Sequence, residues 1–320
     1  MELRQLKYFL AIVDAQGLSR AAKELHVAQS ALSRQVADLE AELGVPLLVR
    51  SRTGVAVTEA GKVLYEYGQG IVKLVGDARA AVHCAAGSDA GSVVLALPQS
   101  VAAMLALPLM RAAALRFPNI VLHVNEELTG NMTDQMLRGR VDMAIFTATM
   151  PPQDIVFTPL VEEPFVLIHS ANDAHAPPAG EVSVEEAVSR PLVLPSQHHG
   201  HCTRWIVDAA LEAAGHRAQR TATEINSVYV LKSAVEAGIG PTIMPLGLAQ
   251  RDVEDGRLVA HRIGSAAMAR VLGLCISRHQ PETNAKRAIC RLVVDVVRDL
   301  CESGQWSGAR YLGGGKGCAS

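Results

Sequence analysis

Short polar and cationic side chains cluster between residues 18 and 42. Ser30, Ser33 and Arg34 fall on one face of a predicted helix, and Gln29 directly precedes them. Hydroxyl, amide and guanidinium groups on one helix face can form hydrogen bonds to base edges and phosphates in the major groove. We therefore interpret Gln29, Ser30, Ser33 and Arg34 as candidate DNA contacts.

A second set of polar residues lies in the other half of the chain, where turns lead from predicted strands into helices. Ligands collect at such turns in α/β sheets, because helix N-termini present free N–H groups there. The candidates are Ser100 in Pro98-Gln99-Ser100, Thr129 before Gly130-Asn131, Pro195 and Ser196 before Gln197, and Asn226 before Ser227. Each turn alone reads equally well as a plain helix cap, but four of them together favour a ligand-binding cleft.

The run His198-His199-Gly200-His201-Cys202 holds four potential metal ligands within five residues. Adjacent side chains diverge, however, and zinc normally takes its ligands from separated pairs. No second cluster in the sequence completes a site, so we expect no metal and no cofactor. A polar loop that hydrogen-bonds an acidic effector, or a solvated loop, fits the run better.

Two predicted helices and a tight turn between them position the DNA candidates. Apolar residues recur at helical spacing in the first helix at Leu18, Ala21, Ala22 and Leu25. The second helix, over residues 30–42, carries an apolar stripe of Leu32, Val36, Leu39 and Leu43. Ser30 is expected to cap this second helix. An ordinary amphipathic hairpin would show the same spacing, so the flanking residues must decide.

The flanks favour a winged helix-turn-helix. Before the pair, a further helix is predicted from Leu3, Leu6, Phe9, Leu10 and Val13. After it, Gly44 ends the second helix, and residues 45–57 read as two short strands around Arg50-Ser51-Arg52-Thr53-Gly54. Such a wing places Arg50 and Arg52 where they can reach phosphates or the minor groove.

A long helix is predicted after the wing, from Glu59 to about Ala85, with Thr58 as its cap. Its apolar residues alternate in steps of three and four at Leu64, Tyr67, Ile71, Leu74, Ala78, Ala81 and Ala85. That heptad spacing indicates pairing with a second helix, although burial against the helix's own domain would produce it too. We favour a homodimer, because a two-fold-symmetric DNA site needs two copies.

The remaining chain, which begins after the small-residue hinge at 87–92, alternates predicted strands and helices. Strands are expected at Val93–Leu97, Ile120–Glu126, Val141–Phe146 and Phe165–His169, among others. This order predicts a parallel α/β fold, and crossings near 147–161 and 264–269 predict two lobes with a cleft. We expect domains at 1–58, 59–87 and 91–303, and a disordered tail at 304–320 apart from Trp306.

Composition restricts the class of protein. The 320 residues are 49% hydrophobic and 19% charged, and the formal net charge is −2. Residues 1–62 hold eight Lys and Arg against seven Asp and Glu, so specific binding is plausible and strong nonspecific binding is not. The sequence contains no GxSxG, Walker A or HExxH motif, and no GxGxxG follows a strand, which argues against an enzyme.

Targeting signals and cysteines indicate the compartment. No apolar run reaches the ~18 residues of a membrane span, and Met1-Glu2-Leu3-Arg4 begins no signal peptide. The six cysteines are scattered without a CxxC motif. We therefore expect a cytoplasmic protein that does not bind membranes and whose thiols are reduced.

The residues from Leu6 to Gly61, LKYFLAIVDAQGLSRAAKELHVAQSALSRQVADLEAELGVPLLVRSRTGVAVTEAG, resemble the N-terminal domain of LysR-type transcriptional regulators. The resemblance is nearly unbroken from Met1 to about Gly61, and the rest fits the family's layout at lower similarity. Ser30 stands where the family usually has proline, which bears on how rigidly the helix start is presented. Gly304-Gln305-Trp306 adds a similarity to the nitrogen-assimilation-control-like subgroup.

The resemblance implies a multi-domain protein: a winged helix-turn-helix, a long linker helix that pairs subunits, and a two-lobed α/β effector domain like a periplasmic binding protein. It implies a homodimer or homotetramer that binds promoter DNA, with a small-molecule effector between the lobes and RNA polymerase as a further candidate partner. Counterparts of Ser100, Thr129 and the turn at Pro195 commonly line that pocket in the family. Two alternatives stay open: a regulator without effector, and a solute-binding module whose N-terminal domain only mediates assembly.

Overall fold

The computed structural model describes residues 1–51, 54–84, 90–127, 129–147, 153–189, 191–196, 202–213, 215 and 221–313. The chain forms two compact units. The first comprises Met1–Ser88 with Arg138–Arg140, and the second comprises Asp89–Leu137 with Val141–Ser320.

The first unit is a helical bundle with a two-stranded wing. Its elements in chain order are α1 (Leu3–Asp14), α2 (Leu18–Glu24), α3 (Gln29–Leu43), β1 (Leu48–Ser51), β2 (Gly54–Val57) and α4 (Glu59–Cys84). The predicted apolar stripe of α3 faces inward, since Leu32, Val36 and Leu39 are fully buried. They pack against Phe9 and Ile12 of α1 and the alanines of α2. Burial of this stripe is what leaves the polar face of α3 in solvent.

Helix α3 begins one residue before the predicted start. Its N-cap is Ala28, with φ −69° and ψ 134°, and the helix has no side-chain cap hydrogen bond from this residue. The prediction that Ser30 caps this helix is therefore wrong; Ser30 lies in the first turn and is exposed. The C-terminal end is as predicted, because Gly44 adopts the left-handed conformation that glycine tolerates best.

Strands β1 and β2 form an antiparallel hairpin that packs beside the start of α4. The register pairs Leu48 with Val57 and Ser51 with Gly54. The Thr58 hydroxyl accepts a hydrogen bond from the Gly61 N–H at 2.9 Å, which confirms Thr58 as the cap of α4. The same hydroxyl donates to the Pro46 carbonyl at 2.8 Å, so the cap also joins the helix to the wing.

The second unit contains parallel and antiparallel strands flanked by helices. Its first elements are β3 (Gly91–Leu97), α5 (Gln99–Arg116), β4 (Ile120–Glu126), α6 (Thr129–Leu137), β5 (Met143–Phe146) and β6 (Ile155–Ser170). Next come α7 (Val184–Ala187), β7 (Leu192–Leu194), α8 (Cys202–Ala213), β8 (Thr221–Glu224), α9 (Val228–Glu236) and β9 (Thr242–Pro245). The last are α10 (Gln250–Glu254), β10 (Leu258–Arg262), β11 (Ala269–Ser277), α11 (Asn284–Glu302) and β12 (Arg310–Tyr311).

The strands divide this unit into two lobes. In lobe 1, β3 pairs in parallel with β4 and β5, and β11 runs antiparallel to β5 and to the first part of β6. In lobe 2, the second part of β6 pairs with β9 and β10, while β7 and β8 pair in parallel. Each lobe has its own apolar core. The two-lobed α/β fold is therefore as predicted, with parallel pairs at β3, β4 and β5, and the antiparallel strands β6 and β11 make the sheet a mixed one.

The sequence predicted a strand over Phe165–His169 only. In the structure Ile155–Ser170 is one strand, although Pro159 and Pro164 interrupt its apolar sequence. The pairing with β11 shifts register between Leu272 and Gly273, opposite Leu160. Proline is tolerated at such an irregularity, where a ladder hydrogen bond is missing anyway. This strand carries the chain from lobe 1 into lobe 2.

The C-terminal segment corrects a second prediction. Residues 304–313 are folded rather than disordered: β12 pairs with β6 through Arg310–Glu162 and Tyr311–Val161, and Trp306 is 1% exposed in the core of lobe 1. Residues 314–320 lie outside the described part of the chain. Trp306 thus joins the core instead of anchoring an otherwise loose tail.

The cysteines only partly follow the expectation of reduced thiols. Cys275 and Cys301 are free, and burial raises the pKa of their thiols to about 12 and about 11 respectively. Cys290 on α11 is disulfide-bonded, so the expectation is wrong for that residue.

In the described ranges, every helix is too short or too polar to cross a membrane.

Candidate functional site

The first candidate surface is the exposed face of α3. Ser30 and Arg34 line a shallow concavity there, and Gln29 lies at the start of the same face. The Gln29 amide oxygen accepts a hydrogen bond from the Ser19 hydroxyl of α2 at 2.9 Å, which fixes the amide. Ser33 is half-buried. Arg34 forms no ion pair with any described residue, so its guanidinium is available to a ligand.

Helix α1 adds residues to this surface that sequence reasoning missed. Arg4 and Tyr8 line the same concavity, together with Gln35 and Asp38 of α3. Arg4 and Tyr8 are four residues apart, on the side of α1 opposite the buried Leu6 and Phe9. That helical spacing was visible in the sequence, but only the packing of α1 against α3 shows which surface it joins.

Two acidic residues late in α3, Glu40 and Glu42, bond to other groups of the first unit. The Glu40 carboxylate accepts hydrogen bonds from the Leu47 and Leu48 N–H groups at 2.7 and 3.0 Å, where the chain enters the wing. Glu42 pairs with the N-terminal ammonium of Met1. Neither residue lines the concavity, whereas Asp38, four residues after Arg34, does.

The wing is only partly described. Arg50 lies in β1, but nothing is stated of its side chain, and Arg52 lies outside the described residues. The end of the wing rests on the turn after α1, since the Val55 N–H approaches the Gln16 carbonyl at 3.5 Å. The predicted roles of Arg50 and Arg52 therefore stay predictions.

The second candidate site is a cavity of about 430 Å³ between the lobes of the second unit. Three of the predicted residues, Ser100, Pro195 and Asn226, line it. Thr129 begins α6, but its side chain lies outside the description, and Asn131 of the same turn lines the cavity. Ser196 is buried and is not among the lining residues, which makes it a weaker candidate than its neighbour.

A buried ionic network forms one wall of this cavity. Arg270 of β11 is 3% exposed, and its Nε and Nη2 lie 2.7 and 2.6 Å from Glu163 Oε2 on β6. Arg270 Nη2 also donates to the Ser100 hydroxyl at 3.0 Å. The indole N–H of Trp306 donates to Glu163 Oε1 at 2.9 Å. The predicted Ser100 is therefore held in place by a charge pair and a C-terminal tryptophan.

A hydrogen bond also crosses from one lobe to the other at the cavity. The Gln99 amide oxygen accepts from the Val228 N–H at the start of α9, at 3.3 Å. The Ser227 hydroxyl accepts from the Val230 N–H at 3.4 Å, which caps the same helix. The N-terminus of α9 is thus largely occupied from within the protein. In contrast, α5 has Pro98 as its N-cap and no side-chain cap.

Sequence reasoning did not find Arg270, Glu163, Glu126 or Glu127 at this cavity. A charged residue inside the apolar strand 269–277 was the available signal for Arg270, and two glutamates at a strand end were the signal for Glu126 and Glu127. Glu163 and Trp306 are 143 residues apart, so spacing could not connect them.

Residues 198–201 lie outside the description, and Cys202 begins α8. Among the residues that are described, no group of three or more His, Cys, Asp or Glu could hold a metal ion.

These two sites define a class of protein. A polar recognition helix supported by a buried core, with a wing beside it, is built to enter a groove of DNA. A lobed α/β unit with a cavity at its strand ends is built to hold a small ligand. One chain with both is a DNA-binding regulator that carries an effector-binding domain.

Comparison with known families gives the same answer. Residues 3–62 match the bacterial regulatory helix-turn-helix protein, lysR family, and residues 86–298 match the LysR substrate binding domain. The chain belongs to the LysR family of transcriptional regulators, as its N-terminal residues suggested.

Curated relatives span the whole chain. The nitrogen assimilation regulatory protein nac of Escherichia coli K12 is 30% identical over 308 residues, which cover 96% of this chain and 99% of that protein. The HTH-type transcriptional regulator BbuR of Bordetella bronchiseptica is 28% identical over 313 residues, covering 97% and 94%. These relatives are regulators rather than enzymes.

Solved structures share the fold along the full length. Full-length CbnR, crystallised with its target DNA, has a TM-score of 0.71 at 21% identity, covering 93% of this chain and 99% of that one. A full-length variant of OxyR from Pseudomonas aeruginosa has a TM-score of 0.69 at 22% identity, covering 93% and 95%.

Proposed function

We propose that this regulator recognises a two-fold-symmetric promoter site with Gln29, Ser30, Ser33 and Arg34 of α3, while Arg50 and Arg52 of the wing contact the backbone or the minor groove. The observation that carries this proposal is the exposed Arg34 beside the uncapped first turn of α3, on a helix whose other side is fully buried. Free N–H groups at a helix start attract a phosphate, and an arginine on that helix can reach guanine.

A homodimer through α4 supplies the second recognition helix. Tyr67, Ile71 and Leu74 lie on one stripe of α4 and are 55%, 39% and 49% exposed. Exposed apolar residues at this spacing support helix pairing between subunits. Leu64, the first residue of the predicted seam, packs instead against the core of its own unit. A tetramer would add contacts between the α/β units.

Replacing Leu74 with lysine is expected to weaken the dimer by about 2 kcal/mol, because it puts a charge into the centre of an apolar seam. Sedimentation of the full chain over a concentration series measures the change. The conservative Leu74→Met variant should sediment like the unaltered protein. Identical curves for all three proteins would contradict dimerisation through this stripe.

An effector in the cavity between the lobes completes the proposed mechanism. A ligand that binds one lobe arrangement more tightly shifts the population toward it. In a dimer or tetramer, that shift changes the spacing of the paired winged helices and the bend of the bound DNA. The protein would act in the cytoplasm, where promoter DNA and RNA polymerase are found.

Replacing Arg34 with alanine tests the DNA-binding surface. A bidentate arginine–guanine contact contributes about 1–3 kcal/mol, so the Kd for the operator should rise about 5- to 150-fold. Duplexes selected from a random library by the full-length protein supply the operator, and fluorescence anisotropy measures Kd. Arg34→Lys keeps the charge but not the fork, and should remain defective on the operator while binding random DNA normally.

The control for this experiment is Arg251→Ala, which removes an exposed arginine of α10 in the other unit. It should bind both DNAs like the unaltered protein. If the Arg34 variants bind both the operator and random DNA with the affinities of the unaltered protein, the proposed contact is contradicted. Selection that yields no sequence at all would favour an N-terminal unit that only mediates assembly.

A further inference from the structure

We propose that the cavity selects an effector that carries a protonated nitrogen as well as a carboxylate, and that Glu126 and Glu127 hold the nitrogen. The ligand class is therefore an amino acid with a neutral side chain. This inference rests on the proposed effector role of the cavity and specifies which chemistry that role requires.

Two glutamates, Glu126 and Glu127, line the cavity. Glu126 ends β4, and Glu127 follows it. Strand pairing places them next to the end of β3: Glu126 pairs with Leu97, and the Glu127 N–H donates to the Leu97 carbonyl at 2.9 Å. No described residue forms an ion pair with either carboxylate. Uncompensated carboxylates in the wall of a cavity attract a cation and repel an anion.

The positive charge in the cavity wall is already compensated. Arg270 is the one cation among the described lining residues. Its Nε and Nη2 both lie within 2.7 Å of Glu163 Oε2, so the buried pair adds no net charge. Arg270 can still form hydrogen bonds to a ligand, and its Nη2 holds the Ser100 hydroxyl in place at 3.0 Å. Among the described lining residues, the carboxylates of Glu126 and Glu127 would therefore repel a purely anionic ligand.

The carboxylate of the ligand would bind apart from the two glutamates, at the start of α5. Helix α5 starts beside Ser100 and has no side-chain cap, so its first N–H groups can donate hydrogen bonds to an anionic group. The start of α9 is less available, because Gln99 Oε1 and Ser227 Oγ already accept from its N–H groups.

The rest of the wall is neutral and largely apolar. Its members in lobe 2 are Pro195, Thr203, Ile225, Asn226, Ser227, Val228, Leu231, Ile243, Met244 and Leu248. Such a wall suits an uncharged side chain. Both charged groups of the ligand would then face lobe 1, and its side chain would face lobe 2.

Matched pairs of probes test the inference on the full-length protein. L-leucine, L-methionine and L-phenylalanine are each compared with the 2-hydroxy acid of the same skeleton, which keeps the carboxylate and replaces the ammonium by a hydroxyl. Calorimetry is expected to show at least one amino acid that binds about tenfold or more tightly than its 2-hydroxy acid, a difference of one ion pair. Glu126→Gln and Glu127→Gln should each reduce this preference about tenfold.

Glu212→Gln removes the same charge from an exposed position of α8 outside the cavity and should leave the preference intact. Equal or tighter binding of the 2-hydroxy acids would overturn the inference and leave the cavity an effector site for anions. Binding of neither set would overturn the inference and also count against an effector in this cavity. The Arg34 experiment on DNA is independent of both outcomes.

Discussion

Replacing Glu163 with glutamine is expected to lower the free energy of unfolding of the α/β unit by about 3–5 kcal/mol, the cost of leaving a buried charge without its partner. The side chains of Glu163 and Arg270 are 2% and 1% exposed, so water cannot replace the lost carboxylate. Glutamine has nearly the same shape, which restricts the change to charge and hydrogen bonding. Arg270 would remain charged, since guanidinium does not lose its proton in proteins.

The neighbouring Glu162 offers a matched control. It pairs with Arg310 at 2.6 Å, but the side chains are 38% and 68% exposed, and exposed pairs contribute only about 0–1 kcal/mol. Urea unfolding followed by circular dichroism and by tryptophan fluorescence, to which buried Trp306 and exposed Trp205 both contribute, measures both variants. Equal midpoints for Glu162→Gln and Glu163→Gln would contradict the buried network.

A double variant separates charge from packing. Glu163→Gln with Arg270→Met removes both charges and keeps an apolar stem, and removal of both partners of a buried pair is often neutral. More than half of the lost stability should return. The cavity would then lack the donor to Ser100, so the response to effector should stay impaired even where the fold recovers.

The sequence predicted the first unit well because its signals are local. The stripe of Leu32, Val36 and Leu39 and the end at Gly44 depend on neighbours within a few turns of helix. The start of α3 was harder to predict. Ser30 is a good N-cap residue, but Ala28 takes the extended N-cap conformation instead, against the usual cap preference.

The sequence predicted several residues that line the cavity, but not the charged residues that surround them. Ser100, Pro195 and Asn226 follow from a general rule about strand ends. The partner of Ser100 does not, because Arg270 lies 170 residues further along the chain. The folded segment 304–313 was missed for the same reason: Trp306 is buried by strands far away in sequence, and its glycine-rich surroundings resemble a loose tail.

Replacing Gly61 with alanine is expected to destabilise the first unit by about 3 kcal/mol, at the upper end of overpacking costs. A Cβ at this position would lie 2.2 Å from the Leu47 carbonyl oxygen and 2.7 Å from Val57 Cγ1. The carbonyl is backbone and already accepts from the Thr58 N–H at 3.0 Å, so it cannot turn away. Helix α4 would have to move off the wing.

The Gly76→Ala variant on the same helix tests whether the loss of stability comes from steric contact with the wing or from placing an alanine in α4. Nothing lies within 4 Å of a Cβ at Gly76, and alanine favours helix over glycine by about 1 kcal/mol, so this variant should be slightly stabilised. Hydrogen exchange of residues 3–57 in the full-length chain reports on the first unit alone, which contains no tryptophan. Faster exchange and weaker operator binding in Gly61→Ala, with neither in Gly76→Ala, would follow from a wing held by α4. Equal protection in the two variants would mean that α4 and the wing do not meet at Leu47.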